Sequence, residues 1–282
     1  MNWTMLGILF VVAMICCCIG FKNYVWFMSI GYGFAVAGIG IASVILWRDV
    51  IFTDFGFASI IFLAQVVMFV IYGIRLGGFL AVREFKNKEY KKTLQEAAGQ
   101  EPPIFVKVVM WLFMGVLYTA QTAPVHFRLE NIRTGSATKD DVVVPLIGLI
   151  IMILAVILEA AADKQKSAQK AKRPDMVAKE GLYKIVRCPN YFAEILFWTG
   201  TFVSGLTALT GVGQWITAII AYIAIVFIMF NGAQRLEKRQ SGRYGNNPEY
   251  KQYADTTPII IPLLPIYHLY NPEKDAAKKA KK

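Results

Sequence analysis

Seven stretches of the chain are almost continuously apolar and close to the length of a membrane crossing: residues 3–20, 25–46, 57–74, 104–123, 142–158, 191–209 and 214–230. In hydrocarbon every backbone polar group needs an internal partner, so runs of this length predict helices rather than open strands. The pattern therefore predicts an all-α, polytopic integral membrane protein of about seven transmembrane helices. Residues 1–270 read as a single transmembrane domain, and 271–282, ending in Lys-Lys-Ala-Lys-Lys, as a basic disordered tail. The first run lacks a basic leader and passes directly into the second, so it reads as a span and not a cleaved signal.

The polar intervals fix a direction. Lysine and arginine gather between the third and fourth runs (Arg83, Lys86, Lys88, Lys91, Lys92), between the fifth and sixth (164–187), and after the seventh (235–282). Basic loops face the cytoplasm, which puts the N-terminus outside and the C-terminus inside. The interval 125–141 is charge-balanced, holds His126, and reads as an outer loop. With 56% hydrophobic residues and a net charge of +11, the chain carries its basicity on the membrane face. That suits membrane lipids or an anionic cofactor. No nucleic-acid recognition motif accompanies the charge, so nucleic acid is not an expected partner. Cys16, Cys17 and Cys18 lie inside the first run and Cys188 stands apart, which argues against a disulfide framework or a cysteine metal site.

Candidate chemistry lies at the cytoplasmic ends of the runs. In Gly181-Leu-Tyr-Lys-Ile-Val-Arg187-Cys-Pro189-Asn190-Tyr191-Phe-Ala-Glu194, Gly181 permits a left-handed turn and Pro189 suits the first turn of a helix. Asn190 and Glu194 then share a helix face, and a carboxylate at membrane depth marks a functional site more often than an ion pair with Arg187. Glu159, Asp163, Lys166 and Lys170 fall on one stripe, acids first and bases further out, which fits a ligand with hydroxyls and phosphates or else a self-paired helix exit. Asn231, Arg235 and Arg239 leave the last run four residues apart with Glu237 between, and the Tyr- and Pro-rich stretch 244–262 suggests an ordered cap. Tyr72 and Arg75 share a face at the end of the third run, followed by Gly77 and Gly78, which permit close backbone approach. An interfacial tyrosine with a snorkelling arginine is the plainer reading there. Gln65 and Gln121 suit helix–helix hydrogen bonds.

These segments together resemble the membrane reductases related to steroid 5-alpha-reductase (3-oxo-5-alpha-steroid 4-dehydrogenase), in particular their bacterial branch. The resemblance implies NADPH as cofactor, a lipidic enone as substrate, and a bacterial inner membrane with the cofactor on the cytoplasmic side. It implies that Tyr72, with Arg75, binds the substrate carbonyl. It places Glu159, Asp163, Lys166, Lys170, Tyr183, Lys184, Arg187, Asn190, Tyr191, Glu194, Arg235, Glu237 and Tyr250 at the cofactor. Four features depart from the steroid enzymes. The second run has no carboxylate to pair with Tyr72, Cys188 replaces a histidine, Glu159 stands where they carry an asparagine, and Glu237 stands near a histidine of theirs. A methyltransferase of lipid or isoprenylcysteine carboxyl groups using S-adenosylmethionine shares part of the pattern. A non-enzymatic lipid-binding protein would carry the charges only to orient its helices.

Overall fold

The computed structural model describes residues 3–86 and 101–271. Lys88, Lys91, Lys92 and the basic tail from 272 onward lie outside the described residues. The described residues are helical with no strand. In chain order the helices are α1 (Trp3–Cys17), α2 (Ile30–Leu46), α3 (Arg48–Phe52), α4 (Phe57–Lys86), α5 (Ile104–Arg133), α6 (Val143–Lys172), α7 (Pro189–Gly205), α8 (Val212–Tyr244) and α9 (Pro248–Thr256). Five helical segments are long and apolar enough to span a membrane: Thr4–Phe21, α4, α5, α6 and α8. The protein is therefore a polytopic membrane protein. Outward-facing Ile150, Leu154 and Ile157 of α6 and Ile220, Ile223 and Phe227 of α8 support this, since such faces are stable in acyl chains and a liability in water.

Several helices outrun the apolar stretches that announce them. Helices α4, α6 and α8 carry their charged ends as continuous helix, so the 159–170 stripe and the 231–239 stripe both lie on regular turns. The interval 125–141 is only partly a loop, because α5 continues through Pro124 to Arg133. Its polar residues are inward: His126, Arg128, Glu130 and Asn131 are all buried.

The residues fall into two compact units. Those of Met1–Met152 and Thr199–Tyr222 make the first, and those of Ile153–Trp198 and Ile223–Lys282 the second. In the first, α2 packs on α1, α4 and α5. Its contact with α4 is backbone on backbone. A Cβ on Gly33 would stand 2.4 Å from the Gly77 nitrogen, and one on Gly73 would stand 2.3 Å from the Gly33 carbonyl oxygen. Small residues at such a crossing let helices approach where water supplies no driving force. Gly78, by contrast, has open space around it. Gly73→Ala is expected to destabilise the bundle by about 1–3 kcal/mol through overpacking. Gly78→Ala should be neutral or mildly stabilising, because it only raises helix propensity. Detergent-phase unfolding of the two variants side by side checks this.

The opposite end of the first unit is tied by polar groups. The Arg128 Nε donates to the Ser204 carbonyl (2.6 Å), Nη1 to Asp141 Oδ2 (3.0 Å) and Nη2 to the Thr207 hydroxyl (2.6 Å). Asn131 and Gln214 exchange two side-chain bonds at 2.9 and 3.0 Å. His126 stacks on Trp47 with centroids 5.1 Å apart and bonds Ser43 at 2.8 Å, while the Trp47 indole donates to Glu130 at 3.0 Å. Gln65 bridges helices by donating to Ser204 Oγ and the Pro145 carbonyl, both at 2.8 Å, as a buried amide in hydrocarbon should. Gln121 is buried, but its amide atoms find no hydrogen bond among the described residues.

Candidate functional site

The second unit begins on one face of α6. Gln165 Oε1 accepts from the Leu182 amide (2.8 Å), and Gln169 Oε1 accepts from the Lys179 and Glu180 amides (both 2.9 Å). These bonds pin the chain as it turns back, and Gly181 makes the turn with φ +63°. A short 3-10 turn, Gly181–Lys184, follows, and Pro189 opens α7. Tyr183 is thereby buried against Ala162 and Ala178, its hydroxyl donating to the Ala162 carbonyl at 3.3 Å. Helix α9 closes the other side, where the Tyr253 hydroxyl donates to the Tyr183 carbonyl at 2.7 Å.

Electrostatics show what gathers here. Burial, reinforced by the charge of Asp163 and by Cys188, Tyr253 and Tyr191, raises the Tyr183 phenol well above its usual range. Burial also pushes the Cys188 thiol up to about 12, although the cations Lys166 and Arg187 pull the other way. The α6 stripe therefore faces the 183–191 segment. Cys188 is sealed, and its burial favours the neutral thiol.

Three charged side chains on these segments are deeply buried, Glu159 of α6 (4% exposed), Arg187 (4%) and Glu194 of α7 (6%). Asp163, Lys166, Asn190 and Tyr191 are half-buried. Lys184 and Arg235 are exposed. Arg187 pairs with Glu237 at 2.8 Å. Its Nη2 serves Glu237 and the Tyr267 carbonyl. Its Nε and Nη1 are sealed from solvent without a well-directed hydrogen bond, and the Tyr250 hydroxyl lies within the guanidinium's field.

Three of the residues that the resemblance places at a cofactor make well-defined contacts within the protein. All three ammonium donors of Lys170 have acceptors: the carbonyls of Pro174 (2.7 Å) and Met176 (2.8 Å) and the Tyr244 hydroxyl (3.0 Å). Glu237 receives Arg187 Nη2 and His268 Nδ1 on Oε1 and the Leu269 and Tyr270 amides on Oε2. Its four acceptor positions are filled, and it anchors the segment 258–271. Tyr250 packs with Met176, Val177 and Tyr244, its hydroxyl 3.2 Å from Ser241 Oγ. His268, whose Nε2 also meets Asp255 at 3.0 Å, has no spacing in the sequence that would mark it as Glu237's neighbour.

Glu249 of α9 latches the α6–α7 connection through Arg173 (3.1 Å) and Lys179. Hydrogen bonds from Arg173, then Lys179, lower its carboxyl from 4.5 to about 2. Because the folded value lies below the unfolded one, its stabilisation is complete above the unfolded value and fades as pH falls toward the folded one. The wild-type melting temperature should therefore drop more between pH 5 and 2.5 than that of Glu249→Gln. The difference should be small and abolished by high salt, since the pair is solvated.

In the first unit Tyr72 is fully buried, and its hydroxyl lies 2.9 Å from that of Tyr32 on α2. Tyr32 in turn lies against Tyr118 with ring centroids 4.7 Å apart. Tyr32 is the neighbour that a search for a carboxylate on α2 overlooks. Arg75 is half-buried one turn beyond Tyr72. Among the described residues no cluster of His, Cys, Asp and Glu could hold a metal ion.

Residues 37–257 match the family described as protein of unknown function DUF1295. The chain belongs to the DUF1295 family. No curated protein and no solved structure matches it. For this member of DUF1295, the match runs from within α2 to the end of α9; it takes in Tyr72, Glu159, Arg187 and Glu194, while Tyr32 lies ahead of it.

Proposed function

We propose that this DUF1295 protein is a membrane reductase of the steroid 5-alpha-reductase-like kind, which uses NADPH to reduce the conjugated C=C of a lipidic enone. One observation carries the reading: Glu159, Arg187 and Glu194, three charged residues of one compact unit, are all deeply buried, and Asp163, Lys166 and Asn190 on the same segments are half-buried. Burying three charged groups in one unit is expensive, and such groups mark binding or reaction sites far more often than they stabilise a fold. Carboxylates suit ribose hydroxyls, the Asn190 amide suits a carboxamide, and Lys166 with Lys184 and Arg235 suits phosphates. Lys170 and Glu237 hold this unit in shape. Tyr72 supplies the hydrogen bond that stabilises negative charge on the substrate oxygen. Bound NADPH would supply hydride to the β-carbon, with a solvent proton at the α-carbon, so that NADPH, H+ and enone give NADP+ and the saturated ketone.

The same reading takes α2 and α7 as two further crossings, giving seven, with the N-terminus outside and these buried charges at the cytoplasmic face of a bacterial inner membrane. Each is 17 residues long, about 25 Å, and tolerable in a slightly thinned bilayer. The test is a titration of purified protein with NADPH, NADH and S-adenosylmethionine, followed by cofactor fluorescence or calorimetry. NADPH should bind, and Glu194→Gln or Asn190→Ala should weaken it at least roughly tenfold, the loss of one charge-assisted hydrogen bond. Binding of S-adenosylmethionine with indifference to NADPH would replace this reading with a methyltransferase. Indifference to all three would leave a lipid-binding protein.

A further inference from the structure

We infer that Tyr32 is a positioning residue for Tyr72, and that the two phenols act as one donor for a single neutral carbonyl oxygen. This rests on the reductase reading above and adds to it the residue that replaces an acid on α2. The two hydroxyls are 2.9 Å apart, inside a unit where Tyr72 has no exposed surface and Tyr32 only 7%. The geometry is imposed by the backbone. Tyr32 precedes Gly33 and Tyr72 precedes Gly73, the two glycines whose contact brings α2 against α4. The Tyr32 ring is further held edge-on to Tyr72 (74° between planes) and tilted on Tyr118, whose own hydroxyl donates to the Phe27 carbonyl at 2.8 Å. Two phenylalanines would fill this crossing without any hydroxyl to desolvate, so packing alone gives no reason for the pair.

The chemistry follows from counting protons. Two phenols hold two, and one lies between the oxygens. When Tyr32 donates to Tyr72, the Tyr72 oxygen gives up electron density and its own O–H becomes a stronger donor. That is a neutral donor suited to the oxygen of a ketone or enone, which gains negative charge as the β-carbon is reduced. A carboxylate in place of Tyr32 would bring a charge into this apolar crossing, whereas a phenol polarises Tyr72 without one.

The experiment needs no cofactor. An alkylated cyclohex-2-en-1-one labelled with 13C at the carbonyl is bound to the detergent-solubilised full chain, and its carbonyl resonance is read by NMR. Wild type should move the resonance downfield, as a carbonyl does when it accepts a strong hydrogen bond. Tyr72→Phe should abolish the movement, and Tyr32→Phe should shrink it to roughly half or less, the loss of one cooperative partner. Tyr118→Phe is the control: it deletes one buried hydroxyl from the same aromatic cluster but keeps the ring that lies against Tyr32, and it should keep the full shift. Melting curves show that each variant is folded. A shift that Tyr32→Phe preserves, or that Tyr118→Phe loses equally, overturns this inference and leaves the reductase reading intact. No shift in wild type overturns both.

Discussion

Asp141→Ala should be among the most destabilising single substitutions in the first unit, by about 3–5 kcal/mol, because it leaves a sealed guanidinium without its anion. Arg128 has no exposed side-chain surface, whereas Asp141 keeps 25% of its own. The asymmetry gives a sharper expectation than the pair alone. Removing the arginine leaves a carboxylate that water can still reach, so Arg128→Met should cost less, about 1–3 kcal/mol, mostly from the Ser204 carbonyl and Thr207 hydroxyl that lose a donor. The double variant should then be more stable than Asp141→Ala, since the uncompensated charge is gone. Thermal or denaturant unfolding in a single detergent checks the ordering. If Asp141→Ala is the mildest of the three, the pair is not what ties α5 to the 204–207 turn.

This tie also shows where the sequence is opaque. The interval 125–141 looks like a loop because His126, Arg128, Glu130 and Arg133 interrupt the apolar run. They are nonetheless helical, because each charge is matched inside: Arg128 by Asp141, and Glu130 by Arg133 and the Trp47 indole. Hydropathy registers the charge but not its partner. What is legible is whatever the backbone itself requires. The apolar runs require helices, Gly181 requires its left-handed turn, and Pro189 opens α7. The same division runs through the candidate site. Periodicity places Glu159, Asp163, Lys166 and Lys170 on one stripe, and they lie on one continuous helix. It says nothing of the Pro174 and Met176 carbonyls that occupy Lys170, because any residue supplies a carbonyl. Tyr32 is hidden for another reason. In an apolar helix a tyrosine reads as bulk, and only the Gly33–Gly73 crossing reveals that its hydroxyl meets a second one.

Glu237→Ala should release the C-terminal segment of the second unit while leaving the helices formed. The carboxylate is 2% exposed and gathers four donors, two from the backbone of Leu269 and Tyr270, one from His268 and one from Arg187. Without it Arg187, itself 4% exposed, loses the carboxylate it is paired with, at a cost of about 3–5 kcal/mol. The ties of the segment 258–271 that do not involve Glu237 are lesser ones: the Arg187 guanidinium to the Tyr267 carbonyl, His268 to Asp255, the Gln234 amide to the Leu269 carbonyl, the Pro258 carbonyl to the Arg187 amide, Lys238 over the Tyr270 ring, and the packing of Ile259 and Ile260. Limited proteolysis should therefore cut between 258 and 271 far faster in Glu237→Ala than in wild type, with hydrogen exchange rising over the same residues. Glu237→Gln discriminates between charge and shape. It keeps one acceptor oxygen but turns an amide toward donors, so it should fall between the two and stay closer to Ala. If Gln behaves as wild type, the segment is held by packing. Arg187→Met in the Glu237→Ala background should then restore part of the melting temperature but not the protease resistance, because it removes the stranded charge without replacing the anchor.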